Sequence, residues 1–213
     1  MAIRVSIMVI FDQFREEKLK RLLDSIRPQL QGRKDAEILL LQESNVPLPS
    51  PPGLPVEVRY LTIPEKKGIP FNRNQGIAHA RGDIVLFIDD DCWVQERWLQ
   101  SMLEPFKEPQ VKVVTSGTHI PSSNFLGDCI SALGFPGGGS LGFEKVWRGS
   151  AEGYTNHMAA GNCAIRQEVF ANVGTFDEDL KLGAEDAEFS LRLEKAGIPI
   201  KYVPEAYAYH EAR

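Results

Sequence analysis

Residues 87–93 read FIDDDCW, so three carboxylates, Asp89, Asp90 and Asp91, stand directly behind the apolar run DIVLF. A solvated turn is one reading of the triplet; a bound cation is the other. At a strand end side chains alternate in direction, so Asp89 and Asp91 are expected to share a cleft while Asp90 points elsewhere. Carboxylates gathered at a cleft favour a hard divalent ion such as Mg2+ or Mn2+, held jointly with the phosphates of a ligand. The glycine and terminal glutamate of an EF-hand loop are missing from DDDCWVQER. Phosphatases with an aspartyl nucleophile also place Asp-x-Asp behind a strand, usually the first strand, and need a later lysine and acidic pair. A second candidate ligand is His210, at the end of AYAYH. Neutral imidazole suits Mn2+ better than Mg2+. A strand returning to the sheet would bring it to Asp91, at roughly 2.0–2.6 Å from a shared ion. It is expected to be loosely held until ion and ligand bind, and a solvated terminal histidine is the alternative. His79 reads as a surface residue, and His119 and His157 have no partner at metal-ligand spacing.

These residues sit in a chain of 213 residues, 43% apolar and 25% charged, which suits one folded domain with a full core. A net charge of -5 argues against a general nucleic-acid binder. No apolar run reaches the length of a membrane span, and MAIRVSIMVIF does not read as a signal peptide. Cys92, Cys129 and Cys163 are few, odd in number and widely spaced. They suggest neither a disulfide framework nor a zinc site, and point to a reducing, cytoplasmic setting; a peripheral place at the inner membrane face is the alternative.

The elements that must position the acidic triplet alternate in type. Apolar runs at 4–11, 36–42, 56–63, 83–89 and 111–118 predict buried strands. Leu19, Leu22, Leu23, Ile26 and Leu30 recur at helical spacing over 15–30. A short helix is expected from a cap at Asn72 to Gly82, and another over 95–106. Residues 46–55, rich in proline, form a loop. The glycine-rich stretch 119–158 reads equally as a functional loop or a disordered one. Beyond it come a strand and short helix up to Gly174, a helix over 184–197 and two last strands. Acidic Glu185 and Asp186 suit the start of that helix through its dipole alone. Alternating strands and helices imply an α/β fold, a mainly parallel sheet with helices on both faces, whose ligands bind beyond the carboxyl ends of the strands. The triplet lies at such an end.

The run NRNQGIAHARGDIVLFIDDDCWVQERWL resembles the nucleotide-sugar half of family 2 glycosyltransferases with the GT-A fold, through Arg73, Asn74, Gly76, Ala80, Gly82, Asp89 and Asp91. AAGNCAIRQEVFANVGTFDEDL is similar to the family's acceptor-side block, with Gly161, Arg166, Gly174, Phe176 and Asp177. GAEDAEFSLRLEKAGIPIKYVPEAYAYH is similar to its Glu-Asp helix and terminal Tyr-His. The resemblance spans nearly the whole chain as a single domain, with a nucleotide-sugar half (1–118) and an acceptor half (119–213). It implies a divalent-metal-dependent transferase, using Mn2+ or Mg2+, that moves a sugar from a nucleoside-diphosphate sugar to a saccharide, lipid-linked or small-molecule acceptor. Asp91 and His210 would hold the metal. Asp89, Asp90, Arg73 and Asn74 would serve the nucleotide sugar, with Asp89 on the ribose. Gly161, Asn162 and Glu185 would lie on the acceptor and donor-sugar side, and Asp186 would be the general base.

Three departures stand out. The first strand runs into FDQFREE instead of the family's Pro-Thr-Tyr-Asn-like turn, which leaves Asp12 as the polar contact to the nucleotide. The second ends in Gln42 and Glu43 where the family has Asp-Asp or Asp-Asn, leaving the base open. The chain also stops three residues after His210, as a minimal catalytic domain or a part of something longer. A retaining enzyme carries the same metal motif, although Asp186 argues for inversion. A non-catalytic sugar-nucleotide or carbohydrate-binding module on the same scaffold is the third reading.

Overall fold

A computed structural model describes residues 4–11, 16–42, 53–63, 67–119, 150–181 and 183–210. In chain order these form β1 (Val5–Phe11), α1 (Glu16–Ile26), β2 (Ala36–Gln42), β3 (Glu57–Thr62), α2 (Ile69–His79), β4 (Ile84–Ile88), β5 (Cys92–Val94), α3 (Trp98–Leu103), β6 (Val113–Thr115), β7 (Thr118–His119), β8 (Tyr154–Thr155), β9 (Asn162–Arg166), α4 (Gln167–Val173), α5 (Glu185–Lys195), β10 (Ile200–Tyr202) and β11 (Ala208–His210). The large sheet has the order β3-β2-β1-β4-β9-β6-β10-β8, and β5-β11-β7 make a second, small one. The pairs β1–β2, β1–β4, β2–β3 and β6–β10 are parallel. Only β9 and β8 run against the rest of the large sheet.

Strand side chains alternate between two cores. One face presents Ile7, Val9, Ile38, Leu40, Leu86 and Ile88 to α1 and α3. The other presents Met8, Leu39, Leu41, Val85 and Phe87 to Ile77 of α2, Val169 and Phe170 of α4, and Phe189 and Leu193 of α5. Continuous apolar strands follow from this, because both faces are covered. Leu22, Leu23 and Ile26 of α1 are buried, and each such side chain contributes about 1.5–3 kcal/mol.

Several boundaries differ from the sequence expectation. Helix α1 ends at Ile26 and tightens into a 3-10 turn over Arg27–Leu30, because Pro28 has no N–H to continue the α pattern. Helix α2 starts after Gly68, not Asn72, with Pro70 in its first turn; Asn72 is inside it, its N–H donating to the Gly68 carbonyl at 3.2 Å. Gly82 is no helix cap. A Cβ there would lie 2.5 Å from the Ser6 nitrogen and 2.8 Å from the Val5 carbonyl carbon, so glycine lets the chain cross β1 in contact. Ser6 Oγ accepts from the Gly82 and Arg81 N–H groups, and buried Glu37 accepts from Ser6, Arg59 and the Arg81 N–H. The expected strand over 111–118 breaks at Ser116, whose Oγ donates to the Val203 carbonyl at 2.6 Å; β6 stays in the large sheet and β7 joins the small one. Residues 46–52 of the proline-rich loop and 120–149 of the glycine-rich stretch, with Cys129, lie outside the described residues.

Candidate active site

The triplet does not continue the strand. The Cys92 N–H donates to the Asp89 carbonyl at 3.2 Å, so Asp89 to Cys92 form a turn between β4 and β5. Strand alternation therefore does not sort these carboxylates: Asp90 and Asp91 are both buried, and the Asp89 side chain is 44% exposed. Strand β5 leaves the turn antiparallel to β11, with Cys92 opposite His210. That register sets His210 Nε2 3.1 Å from Asp91 Oδ1, with both side chains buried. Cys92 joins them; the oxygen, sulfur and nitrogen donors of Asp91, Cys92 and His210 all lie within 4.8 Å of one another. Burial and the neighbouring Asp89, Asp91 and Asp90 push the Cys92 thiol up from its ordinary value. Carboxylate and imidazole are ligand types that a divalent ion such as Mn2+ accepts.

The expectation that His210 is loose without ligand is not met. It is 3% exposed and ends a paired strand. On the opposite face of the small sheet Trp93 stacks on Tyr209, centroids 5.4 Å apart, and Arg21 of α1 covers Trp93 at 4.1 Å. The Tyr207 and Tyr209 hydroxyls meet at 3.1 Å, and His119 packs edge-on to both rings. This stack clamps β11, so the imidazole is in place beforehand.

Arg73 links the two halves of the site. Its guanidinium forms a close ion pair with buried Glu185 at the start of α5, lies 3.9 Å from Asp89 and sits over the Phe176 ring. Glu185 is thus committed to Arg73, and the next residue, Asp186, is partly exposed. Ala184, just before them, takes a left-handed backbone with φ 69, a conformation costly for a side chain with a Cβ. Asp186 Oδ1 accepts from the Ala187 N–H at 2.8 Å, and its Oδ2 lies 3.9 Å from His157 Nε2. No spacing in the sequence connects His157 with Asp186; a loop and a helix bring them together.

Two of the expected ligand-binding residues make hydrogen bonds within the protein. The Asn74 amide donates to the Phe176 carbonyl and to Glu178, and its oxygen accepts from the Phe176 N–H. Asn162, fully buried, accepts from Trp98 Nε1 at 3.0 Å and donates to the Gly117 and Ala206 carbonyls. Both peg segments together through hydrogen bonds inside the protein. Gly161 has a site role of another kind. A Cβ there would lie 2.4 Å from Asp89 Oδ2, so the missing side chain makes room for that carboxylate. Gln42 ends β2 at the same rim of the sheet. It is 1% exposed, and neither its Nε2 nor its Oε1 has a hydrogen-bond partner among the described residues. Asp12 lies outside the described residues.

Comparison with known proteins decides the family. The glycosyl transferase family 2 model matches residues 6–174. The chain belongs to that family. Among curated members, polypeptide N-acetylgalactosaminyltransferase 11 of Xenopus tropicalis is 29% identical over 172 residues, covering 71% of this chain and 27% of that protein. The chain spans about a quarter to a third of the length of such relatives. A solved structure of GalNAc-T7 with UDP, GalNAc and Mn2+ superposes with a TM-score of 0.76 at 20% identity, over 99% of this chain and 44% of that one. The mannosyltransferase PcManGT of Pyrobaculum calidifontis, solved with GDP-Man and Mn2+, gives 0.70 at 16% identity, over 99% and 57%. These likenesses bear out the α/β, GT-A arrangement expected for the family 2 chain.

Proposed function

We propose that this family 2 chain transfers a sugar from a nucleoside-diphosphate sugar to an acceptor hydroxyl, with inversion and with a divalent cation. The observation that carries the reading is the buried Asp91–His210 pair. Two residues 119 positions apart meet at 3.1 Å in the turn that follows β4, at the ligand-binding rim of the sheet. Asp91 and His210 would hold Mn2+ or Mg2+, with Mn2+ preferred for the imidazole. When bound, the cation neutralises charge that builds on the departing diphosphate.

The chain's own residues divide the remaining work. Asp89 accepts hydrogen bonds from the ribose, in the space that Gly161 leaves. Gln42 serves the base: a buried amide without partners costs stability unless a ligand satisfies it. Arg73 ties the acidic turn to α5, which fixes Asp186 relative to Asp89. Asp186 takes the proton of the acceptor hydroxyl. The unpaired thiols of Cys92 and Cys163 are compatible with the reducing, cytoplasmic setting. No described helix is long and apolar enough to cross a membrane.

The test is a thermal-shift screen of UDP, GDP, CDP and dTDP sugars with and without Mn2+, followed by assay of donor hydrolysis. Metal-dependent stabilisation by one nucleotide class, with turnover, is expected. Stabilisation without turnover across a broad acceptor panel would point to a binding module instead.

A further inference from the structure

His157 belongs to none of the motifs that define the family blocks, yet it is held with care. The N–H of the next residue, Met158, donates to Ser190 Oγ at 3.1 Å, and that hydroxyl donates to the Asp186 carbonyl at 2.6 Å. The Ala159 N–H donates to Thr115 Oγ1 at 3.1 Å. One serine on α5 thus binds the histidine loop to the main chain of Asp186, and β6 anchors the loop from the other side. The imidazole is 10% exposed and the carboxylate 30%, so Asp186 is the more solvent-accessible of the two. With Oδ1 occupied by the Ala187 N–H, Oδ2 is the oxygen turned to His157 Nε2.

We propose that His157 is a positioning residue and proton sink for Asp186, receiving on Nε2 the proton that Asp186 Oδ2 removes from the acceptor hydroxyl. The proposal rests on the reading of Asp186 as the base. In the step, the acceptor oxygen bonds to the anomeric carbon, and the bond from that carbon to the diphosphate oxygen breaks with its electron pair on the diphosphate. The acceptor proton passes through Oδ2 to Nε2, and the carboxylate is restored beside an imidazolium. An imidazole nitrogen is by nature a stronger base than a carboxylate oxygen. Burial holds His157 below its ordinary value, against the pull of Asp186, so at neutral pH it is uncharged and able to accept. The 3.9 Å separation is wider than a hydrogen bond, as catalytic contacts often are before substrate arrives.

The experiment uses the nucleotide sugar found in the screen, with water as acceptor, and compares His157→Gln, His157→Ala and Asp186→Asn. Donor Kd is read by calorimetry and kcat by diphosphate release. Expected are a donor Kd within twofold of the parent protein for both His157 variants, kcat down about 100-fold or more, and partial recovery of His157→Ala with added imidazole. Glutamine can still donate to Asp186 but cannot take up the proton, so it should not rescue. His157→Gln at parental kcat while Asp186→Asn is inactive would overturn the proposal and leave Asp186 as base. An active Asp186→Asn would overturn both. Loss of donor affinity together with kcat, without imidazole recovery, would mean that His157 only supports the fold, and would also overturn it.

Discussion

Gly161→Ala places one methyl group where the Asp89 carboxylate now lies. The new Cβ would be 2.4 Å from Oδ2 and 2.9 Å from Cγ, whereas ordinary contact begins at 3.4 Å. The carboxylate must therefore retreat by about 1 Å. The Gly161 main chain has little freedom to give way, since its carbonyl accepts from the Asp89 N–H at 3.3 Å. Rotating Asp89 away from its rotamer minimum costs about 0.5–1.5 kcal/mol, so the melting temperature should fall by only a few degrees. The functional loss is larger. A ribose contact to a charged carboxylate contributes about 1.5–3 kcal/mol, which is roughly a 10–100-fold rise in donor Kd. Calorimetric titration with the preferred nucleoside diphosphate and Mn2+, beside a melting curve, measures both quantities. Parental donor affinity in a folded Gly161→Ala protein would refute the argument, because Asp89 would then have moved without consequence.

Gln42→Leu removes the orphaned amide, so the ligand-free protein should gain about 1–3 kcal/mol while nucleotide affinity falls; melting curves with and without nucleotide check both. Gly82→Ala meets main-chain atoms at 2.5, 2.8 and 2.9 Å that no rotamer can relieve, and should cost about 1–3 kcal/mol or more in urea unfolding. Burial pushes the Glu37 carboxyl up, but Ser6, Arg59 and the Arg81 N–H outweigh it and hold it below its ordinary 4.5. A depressed folded-state value gives stability that is present above pH 4.5 and lost as the pH falls through the folded value. Glu37→Gln should therefore lose about 1 kcal/mol at neutral pH, and the gap to the parent should close on acidification, as followed by unfolding at a series of pH values.

Much of the frame was legible because local pattern and tertiary environment agree. The strand that the apolar run predicts over 36–42 matches β2 to the residue, since β2 is covered on both faces and its apolar run is unbroken. What escaped depends on contacts that sequence order does not encode. Strand β5 has three residues and no alternation to detect; its partner β11 lies over a hundred positions away. The triplet pointed to the site, but its reading as a strand end missed the turn at Asp89. His157 gave no signal, because its partner Asp186 is set by loop anchoring through Ser190. Asn74 and Asn162 lie within the blocks that carry the resemblance, yet their amides turn inward to Phe176, Glu178, Trp98, Gly117 and Ala206. A motif position records that a residue matters to the site, not whether it touches ligand or holds the scaffold.

The most direct test of the proposed transfer is a crystal structure with Mn2+ and the preferred nucleoside diphosphate, with the ion located by its anomalous scattering. The expected result is one manganese bound by Asp91, His210 and diphosphate oxygens, with Asp89 on the ribose. Manganese coordinated without His210, which still faces Asp91 alone, would contradict the assignment of the metal site.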